Sequence, residues 1–507
     1  PYRGPKESSM KVMIAYPPIP SDKGVPLISQ NRQFQWFNSP TFIYPVVPAY
    51  AATLLQERGH PSVWADGVAE SMTPDSFKEL VDREAPDMIA IEAKTPVIRP
   101  YWKWASELKR LRPQMKVVLM GDHVTAFPDE AFEHCDVDYC LAGGDFDWAL
   151  LNLCNHLEKG EPLEGGVHWR DKNTNTLMNS GAFKLEHDLN ENPFIDRDLT
   201  KWELYAYLNG NFKYTPGTYQ MAGRDCWWGK CTFCSWTTTF NNFRSVTPER
   251  HLAEVEQLVK RYGVREIFDD TGTLPAGLWL KKFTEGLVST GLSKKVVYGC
   301  NMKPGVLKQD QWDRMGKANF RFVLFGVESA NQATTDRLLK GGKVEDIPNT
   351  MRMCKKAGME PHVTCMVGYP WESYQEAKNT IDLCKGLFDE GAIDTLQATI
   401  VMPYPGTPLY KEAKEQGWLL TEDYDRYDMR EPVMKLREDV KYADILELTQ
   451  GIYKSFLTPR FILRKILSIR SLDDIRFFVM AGMRVIGHLT DFSKKQPVRE
   501  TTNNMKI

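Results

Sequence analysis

The sequence predicts an α/β protein: an N-terminal doubly wound parallel sheet of the Rossmann type, then a partial (β/α)6 barrel, then a mainly helical C-terminal region. Two observations support this fold class. Short apolar runs alternate with longer amphipathic stretches from residue 10 to about residue 159, and the same alternation starts again near residue 216. Strand and helix patterns that alternate in this way form parallel sheets with right-handed crossovers.

The same patterns give the domain limits. The polar start of the chain is expected to be flexible, and a segment rich in Asn, Asp and Gly between the two α/β series predicts an inter-domain linker, free or packed. The predicted division is a flexible N-terminus at 1–9, a doubly wound domain at 10–165, a linker at 166–215, a barrel at 216–415 and a helical capping region at 416–507.

Five apolar runs of the first domain are typical of buried strands, namely 11–16, 62–65, 87–92, 116–120 and 137–141. Helices are predicted between them, for instance at 47–58 and 99–111. Ligands of doubly wound sheets bind beyond the carboxyl ends of the strands, where glycines allow close approach of a large ligand or mark only a turn. The candidate binding residues at these ends are Tyr16, Pro17, Glu92, Gly121, His123, Val124, Thr125, Gly143 and Gly144.

The second α/β series contains six strand patterns, at 218–221, 264–268, 295–298, 321–326, 362–367 and 395–401. Helical patterns separate them, at 248–262, 278–290, 309–317, 332–339, 347–357 and 373–390. Six such units in about 190 residues fit an open or partial barrel. All loops that follow the strands would then lie on one face, where barrel enzymes carry their chemistry.

Three cysteines fall in the first of these loops, with no fourth cysteine close in sequence: Cys226, Cys231 and Cys234. Four thiolates usually hold a 4Fe-4S cluster, so three leave one iron open to a small ligand and predict a catalytic cluster. A structural zinc site is the alternative, but it usually needs four paired N or S ligands. Unrelated buried thiols are a second alternative.

Further polar residues follow the later strands. A buried carboxylate is costly unless it is paired or bound to a ligand, which singles out Asp270 and Glu328. A helix N-cap or a salt bridge is the alternative for either acid alone. The other candidates at these ends are Asp269, Asn301, Ser329, Gly368 and Tyr404, of which Tyr404 either joins the substrate pocket as a catalytic residue or packs in the core.

Composition limits the classes of function. With 42% hydrophobic residues and a formal net charge of −2, the chain has no global basic field that would attract nucleic acid. No stretch reaches the roughly 18 to 20 apolar residues of a membrane span. Ten cysteines in 507 residues is an ordinary density, and the N-terminus shows no signal peptide, so we expect a reducing, cytoplasmic setting.

The capping region carries two patterns of its own. Residues 444–456 are typical of an amphipathic helix, and in 459–489 arginines alternate with Ile, Leu, Phe and Val. The second pattern is compatible with contact at a membrane surface. A pair of packed helices with solvated arginines is the alternative, which we favour.

Over nearly its full length the chain resembles the cobalamin-dependent (B12-binding) radical S-adenosylmethionine (SAM) enzymes. The N-terminal half resembles their cobalamin domain, the run from Cys226 to Cys234 their cluster loop, and Gly326-Val327-Glu328-Ser329 and residues 402–410 two later signatures of their barrel. The resemblance implies a 4Fe-4S cluster whose open iron chelates SAM. It also implies that Phe233 lies near the adenine, the Asp269 loop by the methionyl end, Glu328 near the ribose and the Gly368 turn against the adenosine.

Two features depart from the family pattern. The usual cluster spacing is C-x3-C-x2-C, whereas this chain has C-x4-C-x2-C. Methionine-synthase-like cobalamin domains carry a lower axial histidine in D-x-H-x-x-G, whereas here Asp66 begins a run without histidine. Many members of the radical family bind cobalamin without that histidine.

The resemblance implies reductive cleavage of SAM to a 5′-deoxyadenosyl radical, which acts on an unactivated carbon, and methyl transfer from methylcobalamin is the favoured outcome. A radical cyclase with the same cofactors, a non-catalytic cobalamin or redox sensor and a methylthiotransferase are the alternatives. The expected partners are a small-molecule, lipid-like or tetrapyrrole substrate and an external one-electron reductant of the flavodoxin or ferredoxin type, without nucleic acid.

Overall fold

The computed structural model describes residues 9–28 and 34–493. The predicted flexible N-terminus therefore lies, except for Ser9, outside the described residues, as does the end of the predicted capping region. No helix within the described ranges combines the length and the apolar character needed to cross a bilayer.

The strands are β1 Val12–Tyr16, β2 Val25–Pro26, β3 Trp36–Phe37, β4 Ser62–Asp66, β5 Met88–Glu92, β6 Lys116–Met120, β7 Tyr139–Leu141, β8 Val167–Arg170, β9 Leu177–Asn179, β10 Gly217–Gln220, β11 Gly223–Arg224, β12 Arg244–Ser245, β13 Glu266–Asp269, β14 Val297–Met302, β15 Phe320–Glu328, β16 Glu360–Val367 and β17 Thr395–Ile400. The helices are α1 Val46–Glu57, α2 Pro74–Glu84, α3 Ile98–Leu111, α4 Asp122–Ala126, α5 Ala131–His134, α6 Phe146–Lys159, α7 Glu203–Ala206, α8 Trp236–Thr239, α9 Pro248–Tyr262, α10 Gly277–Ser289, α11 Gln309–Lys317, α12 Gln332–Arg337, α13 Asp346–Lys356, α14 Tyr374–Glu390, α15 Pro408–Glu415, α16 Tyr442–Gly451, α17 Pro459–Leu467 and α18 Leu472–Ser493.

The first sheet has the strand order β4-β1-β5-β6-β7-β8-β9. Its first five strands are parallel, and the central strands β1 and β5 are buried along their whole length. Their almost uninterrupted apolar sequences follow from this position, because helices cover both faces of the sheet. The doubly wound domain predicted from the sequence is confirmed.

The segment predicted as a linker contributes to both sheets. Strands β8 and β9 extend the first sheet in antiparallel fashion. They escaped the sequence prediction because β9 is exposed throughout and lacks alternation. Further along, buried Arg197 donates to Thr218 Oγ1 at 2.7 Å and to the Tyr219 carbonyl at 2.9 Å in β10. The segment is therefore packed rather than free.

The second sheet has the order β10-β13-β14-β15-β16-β17, with every neighbouring pair parallel. A helix follows each strand, as the sequence predicts. Strands β10 and β17 are edges, so the barrel is open on one side. Leu27, several residues between 35 and 43, and the helices α17 and α18 border the cavity within this half-barrel.

A buried ion-pair cluster joins the two domains. Arg224 in β11 contacts Asp147 at 2.6 Å and Asp145 at 3.1 Å, and Arg244 contacts Asp145 at 2.8 Å. Burial acts to raise the pKa of Asp145, but His187 and the two arginines hold it well below its usual range. Asp145 follows the Gly143-Gly144 pair, and Arg224 precedes the first cluster cysteine by two residues, so the interface and the cysteine loop share one anchor.

Candidate active site

A cavity of about 760 Å³ lies on the concave side of the half-barrel. It runs along the inward-facing residues of β15 from Phe322 to Glu328, a span of roughly 20 Å at the rise of a β-strand. One end is polar and the other is apolar. The polar end is lined by Cys226, Trp228, Cys231, Phe233, Cys234, Asp270, Asn301, Lys303, Glu328 and Lys340.

The three cysteines lie on the wall of this cavity and are not part of a disulfide. Cys226 pairs with Thr273 in an isolated β-bridge and its thiol lies 3.3 Å from the Thr273 hydroxyl. The amide of Thr232 donates to the Leu338 carbonyl at 3.0 Å, which fixes the second half of the loop. In the part of the chain that the structure describes, no three His, Cys, Asp or Glu side chains are placed to hold a single metal ion.

The additional residue of the C-x4-C spacing is accommodated around Trp228. Its indole N–H donates to the Leu339 carbonyl at 2.8 Å, and Lys303 Nζ lies 4.0 Å from the ring centroid. Gly341 has φ +68°, and a Cβ there would overlap the Trp228 ring. Glycine at 341 is therefore required both by the backbone conformation and by the tryptophan.

Two lysines set the charge beside the cysteines. Burial raises the pKa of the Cys231 thiol to about 11, whereas Lys340 and Lys303 act in the opposite direction. Lys340 is half-buried, which acts to lower its pKa, yet the neighbouring Glu328 and thiols raise that pKa. A positive charge at this position favours thiolate, the form that binds iron.

Glu328 ends β15 in a strained conformation. Its φ is +65°, and a register irregularity between Gly326 and Glu328 interrupts the pairing with β16. Its carboxylate accepts from Lys340 Nζ at 2.8 Å, and a Cβ at Gly326 would collide with both groups. Strain of about 1–3 kcal/mol and a bulge at a strand end are typical of functional sites.

The predicted residues of the other strand ends divide into two groups. Asp270 and Asn301 line the cavity, and Asn301 donates to the Thr271 carbonyl at 3.0 Å. Asp269 is fully buried behind it, where it accepts from the amides of Ala222 and Thr271 at 3.1 Å and 3.0 Å. The structure therefore places Asp269 as a brace between β13 and the cysteine loop.

Four more predicted residues fall into the same two groups, those that line the cavity and those that lie outside it. Phe233 and Tyr404 line the cavity, and the Tyr404 hydroxyl donates to the Tyr427 carbonyl at 3.2 Å. Ser329 lies outside it and donates to Glu372 at 2.8 Å. Gly368, with φ +90°, packs near Ile400 instead.

The predicted binding residues of the first domain lie at a closed edge. All of them except Thr125 are buried, and none borders the cavity described above. Phe240 of the barrel domain covers Gly144, and Phe183 covers Gly143. On the other side the ring of Tyr424 lies 4.7 Å from that of His123, centroid to centroid.

Two buried acids at this edge are satisfied by tyrosines. The Tyr16 hydroxyl donates to Glu92, and the Tyr205 hydroxyl donates to Asp66 at 2.6 Å. Burial raises the pKa of Glu92 to about 7 and that of Asp66 to about 6. Tyr16 and Glu92 thus engage each other.

Several cavity residues were missed by the sequence analysis: Trp228, Lys303, Lys340, His362, Thr364 and Gln397. The Lys340-Gly341-Gly342 run was a usable signal, because paired glycines indicate close approach to the chain. His362 offered no signal, since it lies in the middle of a strand pattern. Its Nδ1 lies 2.8 Å from Thr395 Oγ1, and burial lowers its pKa to about 4, which keeps the imidazole neutral.

The side chains that line the cavity are suited to bind an iron–sulfur cluster. It brings together three cysteine thiols, two lysines that offset negative charge and a group of hydrogen-bonding side chains, as a cluster with an attached ligand requires. The residues expected to bind cobalamin lie outside this cavity, at the edge of the first domain. Phe240 packs against Gly144 and Tyr424 packs against His123 at that edge, so these two side chains border the place expected for the corrin ring.

The three cysteines lie in the loop after the first strand of a half-barrel, and a doubly wound domain precedes this half-barrel. This combination is typical of radical SAM enzymes. In agreement, residues 222–384 match the Radical SAM superfamily. Residues 222–384 therefore form a Radical SAM domain, and the chain as a whole has the fold of the cobalamin-dependent radical SAM enzymes.

Individual proteins support this assignment. An uncharacterized methyltransferase from Pyrococcus horikoshii is 29% identical over 430 residues, covering 83% of this chain and 90% of the relative. The anaerobic magnesium-protoporphyrin IX monomethyl ester cyclase of Rubrivivax gelatinosus is 22% identical, covering 81% and 73%. The structure of the cobalamin-dependent S-adenosylmethionine radical enzyme OxsB with aqua-cobalamin bound aligns with TM-score 0.68 at 14% identity, covering 96% of this chain and 72% of OxsB.

Proposed function

We propose that this enzyme cleaves SAM reductively and methylates an unactivated carbon of a largely apolar small molecule. The observation that carries the proposal is the meeting of Cys226, Cys231 and Cys234 with Asp270, Asn301 and Glu328 at one end of a single cavity. When bound, the reduced cluster would supply the electron that splits SAM into methionine and a 5′-deoxyadenosyl radical, and methylcobalamin, remethylated by a second SAM, would supply the methyl group.

The chain's own residues bind and orient the cofactors and the substrate. The three cysteines bind the cluster, and Lys303 and Lys340 offset its negative charge. Glu328, Asp270 and Asn301 offer hydrogen-bonding groups to the polar parts of SAM, and Phe233 offers a ring to its adenine. The apolar barrel wall beyond them excludes water and places the substrate carbon near the radical. Tyr404 borders the same space and is proposed as a substrate contact.

The proposed binding residues beyond the cavity act indirectly. Asp269 and Ser329 are proposed to position the loops that hold SAM, and Gly368 to shape the turn that follows β16. The edge residues of the first domain, from Tyr16 to Gly144, are proposed to contact cobalamin after the packing of Phe240 and Tyr424 has opened.

Methyl transfer is supported by the names of two relatives. They are the methyltransferase of Pyrococcus horikoshii and the bacteriochlorophyllide d C-8(2)-methyltransferase of Chlorobaculum tepidum, which is 23% identical over 445 residues. The cyclase of Rubrivivax gelatinosus favours radical cyclisation as a second candidate reaction. Product analysis separates the two, because only methylation adds a carbon.

The proposed partners follow from the two ends of the cavity. Gly229 and Lys230 lie between the first two cysteines and are exposed, so an external donor of the flavodoxin or ferredoxin type can approach the cluster closely. The apolar end suits a lipid-like or tetrapyrrole substrate. We place the reaction in the cytoplasm, where such donors are kept reduced.

Anaerobic reconstitution with iron, sulfide and cobalamin tests the proposal. We expect the EPR signal of the reduced cluster to change when SAM is added, and 5′-deoxyadenosine to form with dithionite. Cys231→Ala should abolish both, whereas Cys135→Ala, at a half-buried thiol outside the cavity, should abolish neither. An EPR signal of the cluster that does not change when SAM is added would instead favour a redox sensor.

A further inference from the structure

Helix α17 exposes apolar side chains that a packed helix would bury. Its sequence contains five large apolar residues, yet none of its residues is buried. Leu463 and Leu467 are 57% and 64% exposed, and Leu472 at the start of α18 is 83% exposed. Ile475 and Val479, one turn apart on α18, are 45% and 56% exposed. Exposed apolar side chains concentrated on two successive helices form a patch that marks an interaction site.

The same two helices form the apolar end of the cavity. Phe461, Ile469, Phe477 and Phe478 line it. Ile462 and Ile466 line it as well and are also 45% and 58% exposed, so the cavity reaches the surface at α17. A molecule that enters there passes from the exposed apolar patch directly into the cavity, and then along β15 toward the cysteines.

Basic side chains border the patch. Residues 459–482 contain Arg460, Arg464, Lys465, Arg470 and Arg476 but only two acids, Asp473 and Asp474. Three of these charges are already paired, Asp473 with Arg265 at 2.6 Å, Asp474 with Lys213 and Lys465 with Asp394 at 3.0 Å, which leaves the four arginines. The net charge of the segment is therefore positive, and its combination with exposed leucines is that of a helix lying in an anionic lipid interface.

We propose that α17 and α18 bind an anionic membrane surface and admit a long-chain amphipathic substrate from it into the cavity. The substrate class rests on the proposed function, because the substrate has to reach the cysteine end of the cavity, where the proposed radical reaction takes place. Membrane binding stands on the exposed helices alone.

Vesicle co-sedimentation of the full chain tests the surface. We expect binding to phosphatidylglycerol vesicles, weak binding to phosphatidylcholine vesicles and a decrease with salt. The variant Leu463→Gln/Leu467→Gln/Leu472→Gln changes only exposed residues outside the cavity and should lower the partition coefficient about tenfold or more. Leu278→Gln, an equally exposed leucine on α10, should leave it unchanged.

Two further outcomes decide the proposal. Absence of vesicle binding, or equal binding by the triple variant with unchanged circular dichroism, overturns it, and so does a concentration-dependent dimer in place of vesicle binding. For the substrate, cis-parinaric acid should fluoresce on binding, and Ile466→Asp should weaken it about tenfold; equal affinity overturns the portal. Formation of 5′-deoxyadenosine in the same samples reports separately on the proposed function.

Discussion

At the scale of single residues, the pair formed by Glu328 and Lys340 is the most informative. Both side chains border the cavity, their charges lie 2.8 Å apart, and Glu328 adopts an unfavourable φ. The free energy of the pair is sensitive to loss of one partner, because the other is then left as an isolated buried charge.

Lys340→Met should therefore destabilise the protein by about 3 kcal/mol. The double variant Lys340→Met/Glu328→Gln should lose less, since no lone charge remains. Chemical denaturation midpoints of the cluster-free protein measure both values. Equal losses for the single and the double variant would show that the two charges do not interact.

His362 gives a prediction about pH. The unfolded chain takes up a proton near pH 6.5, whereas the folded chain takes it up only near pH 4. Stability from this residue is present above pH 6.5 and is lost as the pH falls toward 4, by up to about 3 kcal/mol.

We expect the His362→Gln variant to lose less free energy of unfolding than the wild type when the pH is lowered. Urea unfolding of wild type and variant at about pH 7.5 and about pH 5 measures it, and the wild type should lose about 2 kcal/mol more between the two conditions. Parallel losses in both proteins would contradict a neutral buried imidazole.

At the scale of elements, the cysteine loop depends on a glycine distant in sequence. Gly341→Ala should displace Trp228 and lower the iron content of reconstituted protein several-fold, because the Cβ overlaps the indole ring. Gly291→Ala is the matched control, with φ +72° but open space around the Cβ position. If both variants retain full iron, the loop does not need Trp228 in its present place.

Sequence patterns located the parallel strands of both sheets to within a few residues, because each combines an apolar run with a neighbouring helical period. Strand β9 was missed since all its side chains face solvent. The cysteines were recognisable by spacing alone. His362 was not, because its contact with the cavity is made by folding rather than by a local pattern.

At the scale of the whole molecule, side chains of the capping region close the edge of the first domain that is proposed to contact cobalamin. Tyr424 contacts His123, and its hydroxyl donates to Glu130 at 3.1 Å. Arg99 reinforces the same closure through its 2.6 Å contact with Asp423. The first domain and the capping region therefore hold each other in place.

Tyr424→Ala should weaken this closure and raise the rate of cobalamin association about tenfold, as expected if the lost contacts contribute about 1.4 kcal/mol. Stopped-flow absorbance of hydroxocobalamin measures the rate. Tyr207→Ala, at an exposed tyrosine in the segment between the domains, should leave the rate unchanged. The closure is irrelevant to loading if both variants bind at the wild-type rate.

The length of the cavity has a consequence for regiochemistry. The cavity follows the inner face of β15 for roughly 20 Å, with Glu328 at the end beside the cysteines and the proposed opening at α17 toward the other end. A flexible chain held by its head group at the opening presents to the radical only the carbon that reaches the polar end. The barrel height then acts as a ruler, and substrates of different chain length would be modified at the same distance from the head group.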